Sequence, residues 1–182
     1  MRLFIAIDLP REVLESLGRL VDTLRPTARL KWSPVENLHI TTKFAGEWPE
    51  ARLGEMTGAL SDLAKHPLIE ISVSGVGFFP NPHHPRVFWA GVHAPPALAE
   101  LARETDEKLA RLGVPSESRP FSPHLTLARV KEPLPPLVSL RQKIAALDSL
   151  DFGSFSADQF HLYLSRLSPS GATYTRLASF PI

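Results

Sequence analysis

The sequence predicts an α+β fold, antiparallel or mixed sheet with helices on one face, organised over residues 1–182 as one domain of two lobes. Three observations carry this. Stretches that alternate with period two are interleaved with stretches whose apolar residues recur at helical spacing. Several neighbouring strands are joined by connections too short for a parallel crossover. No low-complexity tract divides the 182 residues, a length within the range of one domain.

The elements follow in order. LFIAID (3–8) alternates as a first strand, and Pro10 opens a helix at a position where its missing N–H costs nothing. Val13, Leu14, Leu17, Leu20, Val21 and Leu24 form that helix's buried stripe. After a turn at 25–29, LHITTKF (38–44) is the second strand, and Trp48-Pro49 ends it. A helix with Leu53, Met56, Leu60 and Leu63 inward follows, weakened by Gly54 and Gly58. Residues 68–76 alternate through Ile69, Ile71 and Val73 as a half-buried strand, and FFPNPHHP reads as a loop. RVFWAGV (86–92) is a strand, and Pro95-Pro96 opens a helix reaching about Leu112. The second half repeats the order, with a strand at HLTLARV and a helix through Leu137, Leu140, Ile144 and Leu147. Strands at 152–155 and 159–167 come next, and SPSG (168–171) turns the chain into a closing hairpin strand, 172–180.

Composition removes whole classes of function. Cysteine is absent, which excludes disulfide scaffolds, iron–sulfur clusters and thiol nucleophiles. Twenty Lys and Arg stand against 19 Asp and Glu, so any polyanion must be held by a local patch. The apolar run before Asp8 is too short for a signal-peptide core or a membrane span. The expectation is a cytoplasmic protein without membrane attachment. No long exposed apolar surface is evident, so a monomer is expected.

The informative feature is a repeated pattern, His39-Ile40-Thr41-Thr42 and His124-Leu125-Thr126-Leu127. Each lies in a predicted strand, where residues two apart share a face. His39 and Thr41 therefore project together, with Leu38, Ile40 and Phe44 opposite; His124 and Thr126 project together, with Leu125 and Leu127 opposite. Two unrelated strand histidines are the plain alternative, but matched contexts favour a common site. Two imidazoles facing one site can divide acid and base roles near neutral pH. A phosphodiester suits them: one neutral His takes a proton from water, and one protonated His gives a proton to the departing oxygen. Each threonine hydroxyl can donate to a non-bridging oxygen as charge gathers there. A 2′,3′-cyclic phosphate is a natural target, since water is the only added nucleophile. No metal-ligand spacing is present, so neither metal nor other cofactor is expected.

KWSPVENLHITTKFAGE, FFP…PRVFWAGV, SRPFSPHLTLARV and SRLSPSGATY occur in order along nearly the whole chain. In these phrases the sequence resembles the bacterial and archaeal RNA 2′,3′-cyclic phosphodiesterases, also named 2′-5′ RNA ligases, of the two-histidine (2H) phosphoesterase superfamily. The resemblance implies two similar lobes of antiparallel sheet, helices outside, around a central groove faced by one His-x-Thr from each. It matches His39 to the proton donor for the leaving 3′ oxygen and His124 to the base that activates water. Thr41 and Thr126 match the phosphate-orienting threonines, and Arg129 the arginine that helps hold the phosphate. The implied product is a terminal 2′-phosphate, from RNA ends that include tRNA fragments, with reversible 2′-5′ ligation open to the same site.

Thr42 and Ala45 depart from the family's usual leucines. Strict alternation places Arg129 opposite His124 unless the strand bends or ends near Ala128, and an ordinary solvated arginine is the competing reading. Lys43 shares parity with His39 and is a further candidate for phosphate. Phe121, Trp32 and Phe78 or Phe79 are candidates for base stacking, against an ordinary core role. His66, His83, His84, His93 and His161 lie outside the repeated motif and read as ordinary surface or strand histidines. A non-catalytic RNA- or nucleotide-binding module is the alternative function, although binding alone would be served as well by Arg or Lys.

Overall fold

In the computed structural model, which describes residues 1–182, nine strands and four helices alternate along the chain. β1 (Arg2–Asp8), β3 (His39–Glu47), β8 (Gln159–Ser168) and β9 (Gly171–Pro181) form sheet A, in the order β3-β1-β8-β9. β2 (Lys31–Trp32), β4 (Ile69–Phe79), β5 (Val87–His93), β6 (His124–Arg129) and β7 (Asp151–Ala157) form sheet B, in the order β2-β6-β5-β4-β7. Every pairing is antiparallel.

Neither sheet is one half of the sequence. Sheet A joins the first strands to the closing hairpin, because β8 pairs back onto β1. Sheet B takes the middle of the chain, because β4 pairs with β5 across a short loop. The repeated order is real at another level: β1–helix–β3 is mirrored by β5–helix–β6, and each opening strand sits inside its own sheet.

The helices follow the expected stripes. α1 (Arg11–Leu24) buries Val13, Leu17, Leu20, Val21 and Leu24, with Pro10 at its N-cap. α2 (Leu53–Ser61) buries Met56 and Leu60; α3 (Pro96–Ala110) buries Leu98, Leu101 and Leu109; α4 (Val138–Ala145) buries Leu140. Apolar side chains from both sheets and all four helices form one continuous cluster. Two sequence assignments change. Phe78 and Phe79 belong to β4 rather than to the following loop, and Lys31–Trp32 forms an edge pairing with β6 that no alternation in so short a segment could announce.

Candidate active site

The first histidine strand is shaped by a bulge. Asp8 pairs with His39, Ile7 with Ile40 and Ala6 with Thr41, but Ile5 pairs with Lys43, leaving Thr42 as an extra residue. His39 and Thr41 share one face, while Ile40 and Thr42 are buried on the other. The Thr42 hydroxyl is absorbed by the carbonyl of Ile5 at 3.3 Å. Beyond the bulge the alternation restarts with the opposite parity. Lys43 therefore lies beside Ile5 on the core side, 3% exposed at its side chain, and not on the face of His39. Its ammonium donates to Asp106 Oδ1 at 2.5 Å and to the Pro115 carbonyl at 2.7 Å. Phe44, opposite Phe4, turns onto the face of His39 and is 63% exposed. Both placements correct strict alternation.

The second strand repeats the device. Gly91 pairs with His124, Trp89 with Thr126 and Phe88 with Ala128, so Leu127 is the extra residue. Arg129, opposite Val87, is thereby brought onto the face of His124 and Thr126, where it is exposed. The bend anticipated near Ala128 is this bulge. Glycines keep the same face open: a Cβ at Gly91 would stand 2.4 Å from the Ser74 carbonyl, and one at Gly77 would stand 2.3 Å from the Trp89 ring. β3 and β6 belong to different sheets yet approach within 8 Å at their Cα atoms.

Both imidazoles are tethered alike. His39 Nδ1 lies 2.6 Å from the Asn37 carbonyl, and His124 Nδ1 lies 2.8 Å from the Ser122 carbonyl. A carbonyl only accepts, so each Nδ1 carries the proton and each Nε2 is left as the reacting nitrogen. Aromatic rings fix the ring planes. Phe4 stacks on His39 at 4.7 Å and Tyr174 meets it edge-on at 5.2 Å, while Phe79 meets His124 edge-on at 5.0 Å. Burial lowers the His39 pKa below the ordinary histidine value, and the Asn37 carbonyl and the Asp8 carboxylate act against it.

Sequence reasoning missed the polar cluster beside His39. The Asp8 carboxylate accepts a hydrogen bond from the Tyr163 hydroxyl at 2.6 Å and another from Arg176. His161 Nε2 stands 3.6 Å from Asp8, and its Nδ1 lies 2.9 Å from the Ser179 hydroxyl. These residues come from β1, β8 and β9, so only the β1–β8–β9 register unites them. Alternation within LFIAID could have put Asp8 on a face with Phe4; nothing in the sequence paired it with His39.

The other candidates separate. Phe79 lies beside His124, whereas Phe78 and Trp32 pack on the fully buried Phe88, and Phe121 packs against the core. His66 pairs with Glu104 at 2.8 Å. The backbone N–H groups of His83 and His84 are held by the Asn81 side chain, and His93 is exposed near the Ser74 carbonyl. No group of three His, Asp or Glu side chains converges as a metal-binding set. No helix is long and apolar enough to cross a membrane.

Comparisons with known proteins identify the family of the chain. The family model of the 2′-5′ RNA ligase superfamily matches residues 13–168. The RNA 2′,3′-cyclic phosphodiesterase of Methanothermobacter thermautotrophicus is 36% identical, over 99% of this chain and 98% of its own. That of Methanocaldococcus jannaschii is 39% identical, over 96% of each chain. Among solved structures, TT0787 of Thermus thermophilus superposes with a TM-score of 0.83 at 32% identity, covering 100% of this chain and 97% of that one. Escherichia coli LigT complexed with 3′-AMP gives a TM-score of 0.76 at 27% identity, with the same coverage. With a family model spanning most of its length and relatives matched nearly end to end, the chain belongs to the 2′-5′ RNA ligase superfamily.

Proposed function

We propose that this protein hydrolyses RNA 2′,3′-cyclic phosphate ends to 2′-phosphates. The carrying observation is the matched pair of imidazoles, each with Nδ1 tied to the carbonyl two residues earlier and Nε2 free, on strands that meet from two sheets. The names of the full-length relatives point to the same substrate.

In the reaction, neutral His124 takes a proton from water through Nε2 while the water oxygen attacks phosphorus. The P–O3′ bond breaks, and protonated His39 gives its Nε2 proton to the departing 3′ oxygen. The product is a 2′-phosphomonoester and a 3′-hydroxyl, and proton exchange with solvent resets both rings. Thr41 and Thr126 donate to the non-bridging oxygens, where charge gathers in the transition state. Arg129 shares the face of Thr126 and holds the phosphate as a cation. Water at high concentration drives hydrolysis, and the same ring opening gives 2′-5′ ligation when a 5′-hydroxyl attacks phosphorus in place of water: the P–O5′ bond forms, the P–O3′ bond breaks, and the 3′ oxygen again leaves as a hydroxyl. The working unit is residues 1–182 as one two-lobed domain, a cytoplasmic monomer acting on RNA ends, tRNA fragments among them, without a metal or other cofactor.

The test is product analysis. An oligoribonucleotide ending in a 2′,3′-cyclic phosphate is incubated with the protein in EDTA and followed by ³¹P NMR. Conversion to the 2′-phosphate is expected, with a bell-shaped pH profile of kcat/KM. His39→Ala and His124→Ala should each lose about 10²–10⁴-fold. Full activity in both variants would refute the mechanism. RNA binding without conversion would assign the groove to a non-catalytic module.

A further inference from the structure

The two bulged strands are equivalent by position, so the residues facing their histidines from the neighbouring strand can be compared directly. Opposite His124 stands Gly91; opposite His39 stands Asp8. Residues directly opposed in an antiparallel pair hold their Cβ atoms about 4.5–5.5 Å apart on one face of the sheet. One imidazole thus has a carboxylate across from it, and the other has bare backbone.

The carboxylate is held in place from three sides. The Tyr163 hydroxyl donates to Oδ1 at 2.6 Å, Arg176 donates to Oδ2, and His161 Nε2 lies 3.6 Å from Oδ2. The two hydrogen bonds fix the position of the carboxylate beside His39. The arrangement answers a chemical difficulty. His39 lies among Phe4, Tyr163 and Tyr174, surroundings that favour the neutral ring, whereas a proton donor must be charged before the bond breaks.

We propose that Asp8 is a positioning residue that holds the His39 imidazole in its protonated form for donation to the leaving oxygen. This rests on the reading of His39 as that donor. The asymmetry between Asp8 and Gly91 then distinguishes acid from base in two otherwise matched strands. Arg176 bounds the effect: its guanidinium, paired with the carboxylate, offsets repulsion between Asp8 and the phosphate and also weakens the field at His39. The charged and titratable groups around His39 are Asp8 on β1, His161 and Tyr163 on β8, and Tyr174 and Arg176 on β9, with His124 carried by the approaching β6.

The experiment titrates the histidine rings of the full chain by ¹⁵N-edited NMR, beside pH profiles of kcat/KM on the cyclic-phosphate oligonucleotide. Asp8→Asn keeps the shape and the acceptor oxygen and removes the charge. It should move the His39 midpoint down by about 0.5–1 pH, leave His124 in place, and carry the high-pH limb of the profile down with it. Arg176→Gln, at a half-exposed site, should move the His39 midpoint and that limb up. Opposite signs at two residues of one cluster are not the signature of general loosening. An unmoved His39 midpoint overturns the proposal, and so does a midpoint that moves while the limb stays fixed. If Asp8→Asn does not fold, Arg176→Gln decides alone by the same criteria. Full activity in His39→Ala would instead defeat the donor reading, a result independent of the NMR response of His39 to Asp8.

Discussion

The ion pair between Lys43 and Asp106 ties the strand carrying His39 to the segment leading into His124, and breaking it from either side should give unequal costs. The Lys43 side chain is 3% exposed, and its ammonium donates to Asp106 Oδ1 and to the Pro115 carbonyl; the Asp106 side chain is 21% exposed, and its carboxylate also accepts the Glu117 N–H at 2.9 Å. In Lys43→Met the stem is replaced by a side chain of similar reach. The carboxylate left behind keeps the Glu117 N–H and gains water on its open side. The loss of two charge-assisted hydrogen bonds, partly recovered this way, comes to about 2–3 kcal/mol. In Asp106→Asn the charge left behind is the nearly sealed ammonium, and the cost rises to about 3–5 kcal/mol. For a chain of this length these correspond to drops in Tm of about 5–10 °C and about 8–15 °C. Urea unfolding followed by circular dichroism at pH 7 measures both, and the double variant Lys43→Met/Asp106→Asn should cost less than the sum of the singles. Burial pushes the Asp106 pKa up, but the hydrogen bonds from Lys43 and the Glu117 N–H outweigh it and hold it below the ordinary value. The stabilisation is therefore complete above the ordinary carboxylate range and is lost as pH falls through the depressed folded value. Lys43→Met costing more than Asp106→Asn, or both costing under about 1 kcal/mol, would refute the argument.

Three further outcomes are expected. Gly91→Ala places a Cβ 2.4 Å from the Ser74 carbonyl, so β4 and β5 must separate beside His124; stability should fall by about 2 kcal/mol or more, with kcat reduced in the phosphodiesterase assay. Arg129→Ala should raise KM about 10-fold or more with little change in Tm, because the side chain is exposed and its proposed partner is the phosphate. Burial holds both His39 and His161 below the ordinary histidine value, so the unfolded chain takes up those protons first and stability falls as pH drops below about 6.5. His161→Gln should flatten that slope in urea titrations between pH 7.5 and 5.5.

Much of this molecule was legible from its sequence because local chemistry writes it there. The apolar stripe of α1, the alternation of Ile69, Ile71 and Val73, and the turn at 168–171 each depend on neighbours a few residues away. So does the sharing of a face by His39 and Thr41, and by His124 and Thr126. The sequence by itself determined the order of the elements other than the short β2, the α+β class and the histidine–threonine pairs. Tertiary structure alone decided three things. It set which strands are neighbours, so that the lobes interleave along the chain instead of dividing it in two. It placed bulges at Thr42 and Leu127, which bury Lys43, expose Phe44 and bring Arg129 round to His124. And it put Asp8, Tyr163 and Arg176 together beside His39. The reason is common to all three: strand pairing is a contact between residues far apart in the chain, and one unpaired residue in a ladder reverses the facing of every side chain after it.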